Sequence, residues 1–186
     1  AALDQSTGPL VPIGLSMGGY VALEMARLSP ERMAGMALLN TTAGHDTEDR
    51  CRERRQVIKL AAHRGFQGVT RHSLSKLISA AAYSDEALVN DILAMAAEVG
   101  QAGFIQQQIA IMGRRDQNDT LANFTAPLLI LCGTSDRLTP PSLSIEMADL
   151  AALSTLRLLD GVGHLSSLEA PEAVTTALQD LFGQIN

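Results

Sequence analysis

At 186 residues, 46% of them hydrophobic and 18% charged, the chain is long enough to bury a sizeable core and is expected to fold as one globular domain. A formal net charge of −6 leaves no basic face for general nucleic-acid binding, and with no Trp and 3% aromatic residues there is no stacking platform for bases or sugars. No run approaches the roughly 18 uninterrupted apolar residues of a membrane-spanning helix, so no membrane partner is expected. Two cysteines, Cys51 and Cys132, do not make a disulfide framework and suit a reducing, cytoplasmic setting.

Taken in chain order, apolar runs alternate with helical patterns, which favours an α/β fold with a mostly parallel sheet flanked by helices. The strand candidates are residues 10–15, 35–40, 128–133 and 155–159. Their near-continuous apolar character suits strands covered on both faces, and Cys132 falls inside one of them as a small buried hydrophobe. Residues 19–28 read as a helix stopped by Ser29-Pro30. Residues 141–150 and 171–182 each open on a proline suited to a first helical turn. In the last of these, Val174, Ala177, Leu178 and Leu181 recur at helical spacing and predict one buried face.

Between the second and third strands, residues 44–123 carry no strand signal. Asp46 is placed to cap a helix over 47–63, and Ser84 to cap one whose Leu88, Ile92, Met95 and Val99 share a face and which stops at Gly100. A third helix carries Ile105, Ile109 and Met112 and stops near Gly113. An all-helical stretch of that length within a strand–helix–strand series is a subdomain rather than a loop. The expected division is therefore a core of residues 1–43 and 124–186 and a helical cap of residues 44–123.

Three short stretches carry the chemistry. Gly14-Leu15-Ser16-Met17-Gly18 has the G-x-S-x-G pattern between a strand-like and a helical run. There a sharp turn lifts a serine hydroxyl clear of the sheet, and glycines 14 and 18 remove Cβ atoms where strand and helix crowd. Asp136 and then His164 complete the order Ser, Asp, His. A serine hydroxyl is a weak nucleophile near neutral pH and needs an adjacent base and a group that orients that base. Ser16 is the candidate nucleophile, His164 the general base and then acid, and Asp136 the orienter, with Asp160 as its rival. The alternative for Ser16, a helix cap in a phosphate-binding turn, lacks both GxxxxGK[ST] and GxGxxG. His45, His63 and His72 have no ligand spacing with cysteines or carboxylates, so no metal and no cofactor are expected.

These residues resemble the α/β-hydrolase superfamily, in particular its capped esterase, lactonase and C–C hydrolase branch. Ser16-Met17-Gly18-Gly19 is similar to that branch's nucleophile elbow, and Gly133-Thr134-Ser135-Asp136-Arg137-Leu138-Thr139-Pro140 to its acid loop. Gly161-Val162-Gly163-His164 followed by Glu169-Ala170-Pro171-Glu172 is similar to its histidine loop and last helix. The resemblance implies a cap at the helical insert and an oxyanion hole with the Met17 N–H as one donor. It also implies several strands and a helix before the elbow, where this chain has about a dozen residues. The chain is thus expected to be a fragment that holds the C-terminal half of the sheet, with the apolar edge of its first strand exposed.

The implied function is hydrolysis of a small-molecule carboxylic ester or lactone through an acyl-enzyme on Ser16. C–C bond hydrolysis of a ring-cleavage-type product and a truncated, non-catalytic interaction module are the alternatives, and a homo-oligomer is left open. Within the insert, residues 50–76 hold eight basic side chains (Arg50, Arg52, Arg54, Arg55, Lys59, Arg64, Arg71 and Lys76) against one acid, Glu53. That run reads either as a solvated helix face or as steering for an anionic substrate, with Arg54 and Arg55 as the substrate-binding candidates.

Overall fold

The computed structural model describes residues 3–63 and 68–185. Four strands, β1 (Ile13–Leu15), β2 (Met36–Leu39), β3 (Leu128–Gly133) and β4 (Ser154–Leu159), form an all-parallel sheet in the order β1-β2-β3-β4. Helix α1 (Met17–Leu28) joins β1 to β2. Helices α2 (Glu48–His63), α3 (Arg71–Leu74), α4 (Glu86–Met112) and α5 (Asn118–Ala122) lie between β2 and β3. Helix α6 (Pro141–Leu150) joins β3 to β4, and α7 (Ser166–Glu169) and α8 (Pro171–Phe182) follow.

The two-residue period of the strands divides the core into two layers. Met36, Leu38, Leu128 and Ile130 pack with Leu23 and Ala26 of α1 and Met147 of α6. Their alternates Ala37, Leu39, Leu129 and Leu131 pack with Val174, Ala177 and Leu181 of α8, the face that helical spacing predicts. Strand β1 is shorter than the apolar run suggests, because Pro12 has no N–H to give to the ladder. Pro12 only accepts, from Ala37 N at 2.9 Å, and Leu10 survives as an isolated bridge to Met33. As an edge strand, β1 leaves Ile13 47% exposed.

The helices between β2 and β3 differ from expectation at their caps. Thr47, not Asp46, caps α2, accepting from Arg50 N at 3.3 Å. Asp85, not Ser84, caps α4 through Ala87 N and Leu88 N. The helix stop expected at Gly100 is instead a kink within α4, where Gly100 takes φ 64° before the helix resumes and ends at Gly113. Glycine bears this backbone without a Cβ penalty, so one apolar segment bends rather than terminates. By length and mean hydropathy alone α4 would cross a bilayer. In the fold it is bent, and Ala96, Val99 and Phe104 line a cleft. A separate small core of Leu74, Ile78, Val89 and Ile92 holds α3 and α4 together.

Asp46 is free of capping duty because it is buried at the junction of this insert with α1. Its carboxylate takes Arg54 Nε at 2.5 Å and Arg114 Nη1 at 2.9 Å. The Arg114 guanidinium also donates to Gly44 O and lies 4.2 Å from the centre of the Tyr20 ring. Burial works to raise the Asp46 carboxyl, but the Arg54 hydrogen bond and the Arg114 charge outweigh it and hold it below the ordinary range. A carboxyl lowered in this way stabilises the fold above its unfolded pKa, and the contribution is lost as pH falls through the depressed folded value. Asp46→Asn, which strands two guanidiniums, is expected to cost ~3 kcal/mol at neutral pH. Urea denaturation across pH checks this: the gap to the unaltered chain should narrow in acid, where Asp46 itself takes a proton.

Candidate active site

Because all four strands are parallel, their C-terminal ends lie on one side of the sheet, and adjacent ends fall about 4.8 Å apart. Four loops leave from that edge, carrying Ser16 after β1, Asn40 after β2, Asp136 after β3 and His164 after β4. The ladder continues one step past the strands, with Ser16 N donating to Leu39 O at 2.9 Å and Asn40 N to Leu131 O at 2.8 Å.

Ser16 turns the chain from strand to helix at φ 53°, ψ −114°, a conformation that non-glycine residues rarely adopt. Its carbonyl is held by Gly19 N at 3.0 Å and by the Thr41 hydroxyl at 2.8 Å. The turn closes only because position 14 has no side chain: a Cβ there would lie 2.2 Å from the backbone of Gly18. The crowding expected at Gly18 falls instead at Gly19. A Cβ on Gly18 meets nothing within 4 Å, whereas one on Gly19 would press on Thr41 at 2.6 Å. Met17 opens α1, where helix geometry leaves its N–H without an intrahelical acceptor and beside the serine.

The three residues picked out by motif meet in one hydrogen-bonded line. Ser16 Oγ lies 2.9 Å from His164 Nε2, and His164 Nδ1 lies 2.8 Å from Asp136 Oδ2. His164 and Asp136 are buried, and the serine end opens to the cleft. Asp136 Oδ1 accepts from Leu138 N and Thr139 N, and Oδ2 also accepts from the Thr139 hydroxyl at 2.8 Å. Burial pushes the Asp136 carboxyl up, but His164, then Asn40 and the Thr139 N–H, hold it below the ordinary range and thus ionised. The rival Asp160 is exposed and bonds Thr134 instead. Cys132 lies beneath, 4.0 Å from Asp136 Oδ2, and burial pushes its thiol up to about 11.

Sequence reasoning missed the residues that hold this line in place. Asn40 is fully buried at φ 47° and donates to Asp136 Oδ2 at 2.9 Å and to Gly163 O at 3.1 Å. A polar residue ending an apolar strand at the same edge as Ser16 was the available signal. Glu169 Oε2 accepts from Gly163 N at 3.0 Å and from Ser79 N of the insert at 2.8 Å. The backbone N–H of His164 donates to Leu77 O, so the histidine loop is fastened directly to the insert.

Between the three residues and the insert lies a cleft of ≈ 520 Å³. Arg54 lines it, but its guanidinium is engaged by Asp46 and by Gln108. Arg55 does not line it; it pairs with Glu48. Four of the eight basic residues of the run are paired with acids, since Arg52 meets Asp49 and Arg71 meets Glu86 as well. Those acids stand just outside the stretch where the basic residues cluster, so a count along that stretch overstates its field. Arg64 lies outside the described residues. His45 faces Asp116 and His63 faces Lys59 O, and among the described residues no three His, Cys, Asp or Glu side chains gather to hold a metal.

The sequence profile of the alpha/beta hydrolase family matches residues 1–177. The chain belongs to the alpha/beta hydrolase family. This hydrolase is 27% identical over 186 residues to BpoC of Mycobacterium tuberculosis, which carries a provisional non-heme bromoperoxidase name, covering 95% of this chain and 69% of that one. It is 27% identical to a pimeloyl-[acyl-carrier protein] methyl ester esterase of Xanthomonas oryzae, covering 96% of this chain and 73% of that one. A thermophilic esterase from Thermogutta terrifontis superposes with a TM-score of 0.89 at 29% identity, over 96% of this chain and 66% of that one. The hydrolase thus spans about two thirds of the length of its relatives.

The two glycines make a paired test of the turn. Gly14→Ala should lower stability by ~3 kcal/mol or more through backbone overlap. Gly18→Ala should leave it level or raise it by up to about 1 kcal/mol, because alanine is the better helix former. Chemical denaturation midpoints of the two variants read this difference directly.

Proposed function

We propose that this hydrolase cleaves a carboxylic ester or lactone of a small molecule through an acyl-enzyme on Ser16. The observation that carries the reading is the unbroken line from Ser16 Oγ to His164 Nε2, and from His164 Nδ1 to the ionised Asp136. His164 takes the serine proton as Oγ attacks the carbonyl carbon, then delivers it to the leaving alcohol. Asp136 keeps the imidazole in the tautomer that presents a lone pair to the serine, and balances the imidazolium while it lasts. In the second half, water gives a proton to the same nitrogen as its oxygen attacks the acyl carbon, the bond to Ser16 Oγ breaks, His164 returns the proton to Oγ, and the acid leaves. The Met17 N–H is the donor closest in sequence to the nucleophile for the developing oxyanion, and one such donor is worth ~3 kcal/mol of barrier.

The cleft adds the substrate's surroundings. Leu77, Leu138 and Leu165 supply apolar wall around Ser16 and His164, and Val57, Val99 and Phe104 of the insert face them. In this reading the insert is a cap, and a small acyl group buried under it is shielded from bulk water. Esterase names on two of the relatives support the same bond type. The line of three side chains favours catalysis over a non-catalytic interaction module, since a remnant has no need of a serine held within 2.9 Å of a buried imidazole.

Intact-mass measurement after treatment with a fluorophosphonate tests the nucleophile. One adduct is expected on the unaltered chain and none on Ser16→Ala; labelling that persists in the alanine variant refutes the assignment. Asp136→Asn should lower kcat on an activated ester by about three orders of magnitude or more, because the imidazole then loses its tautomer.

A further inference from the structure

The sequence directs attention to Arg54 and Arg55, but the cleft-lining cation that no acid among the described residues pairs with is Arg50. It stands four residues before Arg54, so both guanidiniums rise from the same face of α2 and both line the cleft. Arg50 Nη2 donates to Leu138 O at 2.8 Å, one residue from Thr139, which bonds both Asp136 and His164. That bond draws the half-buried cation to the acid-loop side of the cleft. It uses one of five guanidinium N–H donors, and the acceptor is neutral. Among the described residues no carboxylate lies within ion-pairing distance of Arg50. Arg54, by contrast, shares the one buried Asp46 carboxylate with Arg114.

The charges at this end of the cleft do not balance. Asp46, buried behind the lining, serves two arginines, and Glu53 is the one acid among the described residues that lines the cleft, exposed and without an ion-pair partner among them. Gln107 and Gln108 of α4 add neutral amides to the same wall. A cleft that carries this excess of positive charge together with apolar side chains and Ser16 is matched by a molecule that has both a reactive carbonyl and an anion. Guanidinium donors in a fixed fork suit a carboxylate best.

We propose that Arg50, backed by Arg54, is the specificity-determining cation of the cleft and takes the distal carboxylate of an ester or lactone substrate. This rests on the hydrolase reading above and narrows its substrate class. Glu53 opposes the same anion from the rim, which gives the proposal a prediction of opposite sign at a neighbouring position.

The test compares mono-4-nitrophenyl glutarate with 4-nitrophenyl valerate, which share leaving group and chain length and differ in the terminal carboxylate. The kcat/KM ratio, carboxylated over neutral, should fall about tenfold in Arg50→Gln, the scale of one charge-assisted hydrogen bond. It should rise in Glu53→Gln and stay level in Arg55→Gln, whose side chain is outside the cleft. A ratio unchanged by Arg50→Gln overturns the proposal, because a purely structural tether to Leu138 would slow both esters alike. If the unaltered chain turns over neither ester, the hydrolase reading has failed, and binding decides the proposal separately. Calorimetry on Ser16→Ala should then show monomethyl glutarate binding more tightly than methyl valerate, with the difference lost when Arg50→Gln is added. Equal affinities for the two probes overturn it.

Discussion

A buried carboxylate without partners is among the costliest things a fold can contain, and the C-terminal edge of this sheet is organised to supply partners to one. Asp136 is almost completely removed from solvent and accepts five hydrogen bonds, from Leu138 N, Thr139 N, the Thr139 hydroxyl, Asn40 and His164. Three come from its own loop, which sets the loop's shape. Asn40 brings in the end of β2 and His164 the end of β4, so three strand ends are tied at a single group. Asn40 then reaches on to Gly163 O, closing the circuit on the residue before the histidine. Close approach is needed for this. A Cβ at Gly133 would lie 2.1 Å from Val162 O, and one at Gly163 would lie 2.6 Å from Ser79 N. The serine, held by its own strained turn, needs only to meet the outer nitrogen of an imidazole already fixed from behind.

The insert is bound to this edge rather than laid over it. Leu77 O receives both His164 N and Leu165 N, and Glu169 bridges Ser79 N to Gly163 N. On the other side, Asp46, Arg54 and Arg114 fix α2 to the segment that follows α4 and to Tyr20 of α1. Displacement of the insert would therefore be felt at the backbone of the histidine. The same bonds account for the arginines of α2. Arg52 and Arg55 pair with Asp49 and Glu48 in the helix's own first turn and Arg54 with Asp46 just before it, so Arg50 is the α2 arginine that no acid among the described residues meets.

The reach of sequence reasoning follows the range of the forces involved. Strands β3 and β4, helices α6 and α8 and the motif residues Ser16, Asp136 and His164 were legible because apolar periodicity, a first-turn proline and a G-x-S-x-G turn are local signals. Cap positions slipped by a residue at Thr47 and Asp85, where two adjacent polar side chains compete for the same N–H groups and local pattern does not choose between them. Gly100 was legible as a break but not as a kink, since the outcome depends on the cleft the second half of α4 turns to line.

By itself the sequence determined the parallel α/β architecture, the order Ser16, Asp136, His164 along the chain, and the presence of a helical insert. Each of these is written in runs of a few residues whose side chains act on their own backbone. Only the tertiary structure decided that Asn40 and Glu169 brace the histidine loop and that Arg50 rather than Arg55 faces the cleft. The physical reason is common to both. A hydrogen bond or an ion pair across tens of residues is settled by which loops the sheet brings side by side, and no local pattern carries that distance.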